Sequence, residues 1–217
     1  MPDTVHVLLP LSLLEAIRSE DTPEGDEVEY VHELRNKRLG LSDTVYAQIQ
    51  RYGDAMKRSQ PIPAVEATSL ARLIGRRADA EDVFRKAGRI VAARAYQKIP
   101  RVTRRLTHVL PGFLARPIAF RRMRSAFAKY LGGSLHHSGS NLLLQVRDSA
   151  TADGANGSEG CAYYEAALGE MLKLVLGGDA QPEQIRCMKK DADGRGKGCE
   201  WRVEWRGRHK PDSKAHA

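Results

Sequence analysis

Gly132 and Gly133 mark a change in hydrophobic period, and that change limits the folds open to this chain. Before the pair, apolar residues recur at steps of three and four, as on helices that bury one face. Ser42 or Asp43 caps a helix over TVYAQIQRYGDAMKR that brings Val45, Ile49, Tyr52 and Met56 together, and SQPIP ends it. A second helix covers roughly Val65 to Arg76. A third starts near Asp79, where the acidic run ADAED suits a helix N-terminus, and stops at KIP. Helices again fit RVTRRLTHVL and PGFLARPIAFRRMRSAFAKYLGG, the latter divided or kinked at Pro117. Upstream, VHVLLP reads as a short strand or buried arm, LSLLEAIRS has helical spacing, and EDTPEGDEV is a loop.

Beyond the glycine pair, SLHHSGSNLLLQVRD reads as one or two strands and TADGANGSEG as a flexible loop. An amphipathic helix follows from Cys161 to Leu176, with Tyr164, Leu168, Met171, Leu172 and Val175 on one side. PEQIRCMKK and GCEWRVEWRG are two strands joined by DADGRGK as a long antiparallel hairpin. Helices first and strands last, with one helix between strands, define an α+β fold in which helices cover one face of a small antiparallel sheet. The organisation expected is an N-terminal extension over 1–41, a domain over 42–206 and a disordered basic tail over 207–217.

Charge is distributed unevenly. From 83 to 147 there is no acidic residue, while fourteen Arg and Lys occur there. Such a field attracts phosphates, anionic headgroups, carboxylated small molecules or an acidic protein. Nucleic acid is disfavoured, since no helix-turn-helix or aromatic-interleaved basic motif accompanies it. No apolar run approaches the roughly 18 residues of a membrane span, and the N-terminus lacks a basic signal-peptide start, so a cytoplasmic location is expected.

All three cysteines, Cys161, Cys187 and Cys199, fall in the last quarter of the chain, on three successive elements. Their residue chemistry admits a metal site, plain burial or redox chemistry. Three thiolates suit zinc or another soft ion, yet the spacing lacks the paired Cys-x2-Cys knuckle. A fourth ligand would come from Glu183, Gln184, Asp191 or Asp193.

The run CAYYEAALGEMLKLVLGG, PEQIRC and GKGCEWRVEW resembles the vinyl-4-reductase domain. Upstream, AEDVFRKAGRIVAARAYQKIPRVTRRLTHVLPGFLARPIAFRRMRSAFAKYLGGSLHHSGS is similar to the helical portion of the bacteriochlorophyll 4-vinyl reductase proteins of phototrophic bacteria. The resemblance spans about residues 64 to 206 and implies the ligand-binding fold shared with haem-NO-binding and trafficking-complex subunits. It also implies a zinc site of three cysteines and a glutamate three residues before the middle one. Cys161, Cys187 and Cys199 match; Gln184 stands at the glutamate position, and a neutral amide is a poor zinc ligand.

The resemblance further implies a hydrophobic ligand held between helices and sheet. Phe113, Phe120, Met123, Phe127, Tyr130, Tyr163, Tyr164, Leu168 and Leu172 are the candidate apolar contacts, and Arg116, with Arg121, Arg122 and Arg124 nearby on the same helix, is a candidate partner for a tetrapyrrole carboxylate. The function implied is binding of a bacteriochlorophyll precursor and assistance to, or catalysis of, its 8-vinyl (older numbering 4-vinyl) reduction. A sensory or scaffold module for an aromatic molecule or a protein is the alternative. Whether the chain is an enzyme stays open, because it carries no Gly-x-Gly-x-x-Gly after a strand and no Walker loop. Partners considered are a tetrapyrrole, an anionic membrane surface that would hold the protein peripherally at the inner membrane, an acidic biosynthetic enzyme and a second copy of the chain.

Overall fold

The segment read as a strand or buried arm does both jobs in turn. Thr4–Val5 (β1) pairs antiparallel with Ile62–Pro63 (β2), and a helix begins at once, Leu8–Asp21 (α1). Pro10 sits in its first turn, where a backbone N–H would have no intrahelical acceptor. Leu8 to Leu14, Ala16 and Ile17 are all buried, so the N-terminal part of α1 lies inside the molecule, while Arg18, Ser19 and Glu20 near its end are exposed. The computed structural model describes residues 3–22, 38–155, 159–177, 180–187 and 198–204. The stretch set apart in sequence as residues 1–41 therefore contributes a helix to the common core. The tail over 207–217 lies outside the described residues.

The next helices follow the sequence pattern closely. They are Asp43–Lys57 (α2), Ala64–Ile74 (α3), Ala80–Gln97 (α4), Arg101–Val109 (α5) and Gly112–Ala126 (α6). Ser42 caps α2 by accepting the Val45 N–H at 3.3 Å. α6 runs through Pro117 without a break in the element. The missing N–H costs only the bond to the Phe113 carbonyl, at the helix's first, solvent-exposed turn. A π-turn over Phe127–Leu131 follows, and Gly132 ends it at φ +64°.

Four antiparallel strands form the main sheet in the order β3-β4-β6-β5: Ser134–Ser138 (β3), Asn141–Val146 (β4), Glu183–Cys187 (β5) and Cys199–Glu204 (β6). Between β4 and β5 come a short helix Ala150–Gly154 (α7), a 3-10 turn Glu159–Cys161 and the helix Ala162–Leu176 (α8). The segment read as a flexible loop is thus partly helical. Ser149 caps α7 at the Ala152 N–H (3.0 Å), and the Thr151 hydroxyl donates to the Gly160 carbonyl at 2.8 Å. Local polar bonds of this kind leave no hydrophobic period to read.

Period-two alternation gives the sheet one covered face. Leu135, Leu142, Leu144, Val146, Trp201 and Val203 are buried, while Ser134, His136, Arg202 and Glu204 are exposed on the other side. The Tyr164 ring of α8 lies against Trp201, with centroids 5.4 Å apart, and Phe120 of α6 meets His137 of β3 edge-on at 5.9 Å. Helices on one face of a small antiparallel sheet make this an α+β fold. α8 also crosses α4 at Gly88, where a Cβ would stand 2.1 Å from the Tyr163 carbonyl oxygen. Only glycine permits that approach.

Candidate functional site: a thiol cluster beside a cavity

The three cysteines converge. Cys161 ends the 3-10 turn and precedes the first residue of α8, while Cys187 closes β5 and Cys199 opens β6 as its direct cross-strand partner. The Sγ atoms of Cys161 and Cys199 lie 3.5 Å apart, those of Cys199 and Cys187 3.7 Å apart, and all three within 4.8 Å of one another. A disulfide needs about 2.05 Å, so these are free thiols in contact. Gly198 aims Cys199 into the group. Its φ is +71°, and a Cβ there would be 2.4 Å from the Val146 carbonyl oxygen, so a side chain is barred twice.

A β-bulge decides which other residue joins them. Residues 184 and 187 are an odd number apart and would face opposite sides of a regular strand. The register slips between Gln184 and Arg186, so Gln184 pairs with Trp201 and Cys187 with Cys199, both on the covered face. Ile185 takes up the extra position and is exposed. Glu183, by contrast, pairs with Arg202, whose guanidinium it holds at 2.8 Å on the outer face. It is turned away from the sulfurs. Asp191 and Asp193, the remaining sequence candidates, lie outside the described residues.

The cluster is electrostatically unfavourable as thiolates. Hydrogen bonding to Cys199 and burial push the Cys161 thiol far up, and burial raises Cys187. A hydrogen bond from Gln184 acts in the opposite direction on Cys187. A cation among the sulfurs would invert this balance, since it stabilises every thiolate it touches. Among the described residues, no carboxylate or imidazole joins the three within the same radius. Sulfur donors alone suit a soft or borderline ion.

A cavity of about 730 Å³ opens at the edge of the sheet, between β1, the start of α1, the π-turn and the adjoining ends of β3 and β4. His6, Tyr130 and Tyr164 give it aromatic walls, and Lys129, Arg147 and Asp148 give it charge. His6 accepts the Leu8 N–H on Nδ1 at 3.1 Å and sets its ring edge-on against Tyr130, centroids 4.7 Å apart. Burial, with a smaller contribution from Lys129, lowers its pKa, and a ring that accepts on Nδ1 is neutral. Tyr164 joins cavity and thiols. Its hydroxyl is pushed up to about 12, chiefly by burial, and it feels Cys199 and Cys161 as well.

Of the ligand contacts expected from sequence, Tyr130 and Tyr164 line this cavity. Met123, Phe127, Tyr163, Leu168 and Leu172 are buried in the packed core, and Phe120 is half-buried against His137. Phe113, Arg116, Arg121, Arg122 and Arg124 stand in solvent, away from the cavity. His6, Lys129 and Arg147 were not among the sequence candidates. Nothing in the local pattern could single out His6, because the residues that share the cavity with it come from the π-turn and strand ends far along the chain. Glu159 was missed as well: its buried Oε2 has no hydrogen-bond partner among the described residues, two positions before Cys161. The chain matches no family model, no curated protein and no solved structure.

Proposed function

We propose that this protein is a zinc-stabilised domain that binds a flat, hydrophobic, carboxylate-bearing molecule, a bacteriochlorophyll precursor, and assists or carries out reduction of its 8-vinyl group. The observation that carries the metal half is the sulfur spacing. Tetrahedral zinc with 2.3 Å bonds to sulfur has ligand edges of about 3.8 Å. The separations of 3.5 and 3.7 Å come within a few tenths of an ångström of that edge. Cys161, Cys187 and Cys199 would hold the ion, with the inward-facing Gln184 position or a water completing four ligands. Zinc here ties the start of α8 to the end of the sheet and supplies folding energy, with no reactive role.

The ligand half rests on the cavity. Its volume of about 730 Å³ suits a cofactor-sized guest, and its aromatic walls with two nearby cations match an apolar ring carrying acidic side chains. The sequence has no dinucleotide or Walker motif, which favours presentation of the pigment to a separate reductant, or sensing of it, over self-contained catalysis. Two measurements test the halves separately. Protein purified without chelator is expected to carry one zinc per chain; less than about a tenth of an equivalent overturns the metal assignment. Titration with divinyl protochlorophyllide is expected to shift pigment absorbance and fluorescence, and to do so more weakly in an Arg147→Ala variant. Unchanged spectra at tens of micromolar pigment overturn the ligand assignment.

A further inference from the structure

We infer that the α5–α6 hairpin is a docking surface for an anionic lipid bilayer. Four large apolar side chains of this hairpin are exposed: Val102 (70%), Val109 (82%), Phe113 (74%) and Leu114 (45%). Three of them flank the turn at Leu110 and Pro111 that joins the helices. Val102, Arg105 and Val109 fall on one line of α5 at steps of three and four, and exposed Leu114 and Arg121 lie about two turns apart on one line of α6. Apolar and cationic groups therefore share faces, where an ordinary solvated helix would separate them.

The cations are also unspent. Arg101, Arg105, Arg116, Arg121, Arg122 and Arg124 are exposed, and no carboxylate pairs with any of them among the described residues. Several other arginines are neutralised within the fold, Arg51 by Glu66, Arg77 by Asp21 and Asp79, Arg85 by Glu81 and Glu165, and Arg94 by Glu15, whereas Arg58, Arg72, Arg76 and Arg89 are exposed without an ion pair among the described residues but are not gathered beside several exposed apolar side chains at a helix turn. The hairpin sits inside the acid-free stretch from 83 to 147, so its field is of one sign.

A bilayer with anionic headgroups meets both demands at once. Guanidinium groups bind lipid phosphates in a fork geometry, while Phe113 and Val109 at the tip enter the boundary between headgroups and acyl chains. Nucleic acid offers the phosphates without an apolar layer beneath them. No helix among the described residues is long and apolar enough to cross a membrane, so the contact is peripheral. The surface is separate from the cavity, whose lining includes none of these residues.

Vesicle co-sedimentation of the full chain tests the inference, with phosphatidylcholine alone and with phosphatidylcholine containing one-third phosphatidylglycerol. Binding is expected to the anionic vesicles only and to fall steeply with added salt. Each arginine near the surface contributes about fivefold, so the double variant Arg116→Gln, Arg121→Gln should partition about 25-fold more weakly. Phe113→Ser should also weaken binding, and Phe113→Trp should show blue-shifted emission on anionic vesicles. These side chains are exposed, so unchanged melting midpoints confirm that the variants fold. Equal binding to neutral vesicles, no binding to either kind, or an unaffected arginine variant overturns the inference. So does tighter binding to heparin or an acidic protein that is indifferent to Phe113→Ser.

Discussion

Metal loading should be steeply dependent on pH, and the structure sets the least number of protons involved. Burial and neighbouring sulfurs raise the Cys161 and Cys187 thiols above the ordinary cysteine value of about 8.5, so both carry protons at pH 7. Zinc binds thiolates, so loading must expel at least these two protons, and Cys199 can release a third. Each expelled proton makes the apparent affinity tenfold stronger per pH unit while the free thiol remains protonated. From pH 6 to pH 7 the apparent Kd should therefore fall about 100-fold, or about 1000-fold with three protons. Competition with a chromophoric chelator at several pH values gives the slope. Calorimetry in buffers of different ionisation enthalpy counts the protons independently. A slope clearly below two protons per zinc would mean that the metal is not held by both of these thiols, and the thiol assignment would fall.

Gly198→Ala should cost about 2–5 kcal/mol, from the left-handed backbone and the clash with the Val146 carbonyl, and should lower zinc content in parallel; urea unfolding with metal analysis checks both. The buried Asp21 carboxylate receives the Arg77 guanidinium through two bonds of 2.7 and 3.0 Å and the Gly40 N–H at 2.7 Å. Asp21→Ala should destabilise by about 3 kcal/mol, the low end for a broken buried pair because Asp79 still holds Arg77; a loss under 1 kcal/mol by denaturant titration would contradict this. The lowered pKa of His6 means that the unfolded chain takes up its proton first as pH falls. This contribution to stability is complete above about pH 6.5 and is lost on acidification, so His6→Asn should flatten the melting curve's pH dependence below that point.

Helix-forming stretches were readable because their caps and apolar spacing are local. Ser42, the acidic turn after Asp79 and Gly132 mark ends that the folded chain uses. The helical spacing of LSLLEAIRS was legible as well, but its place in the common core was not, because local spacing does not record which helix packs against which. The list of ligand contacts mixed core with cavity wall for a related reason. Met123, Phe127, Tyr130 and Tyr164 have similar hydrophobic character, and only the packing of β1 and the π-turn leaves space beside the last two.

From sequence alone come the α+β class, the acid-free hairpin and the suspicion attached to three late cysteines, all properties of order along the chain. Proximity is another matter. That residues 161, 187 and 199 touch depends on the pairing of β5 with β6 and on the seat of α8, and that Gln184 faces them depends on one bulged residue. A single extra residue in a strand reverses the side on which everything before it lies, and no local composition records where that happens.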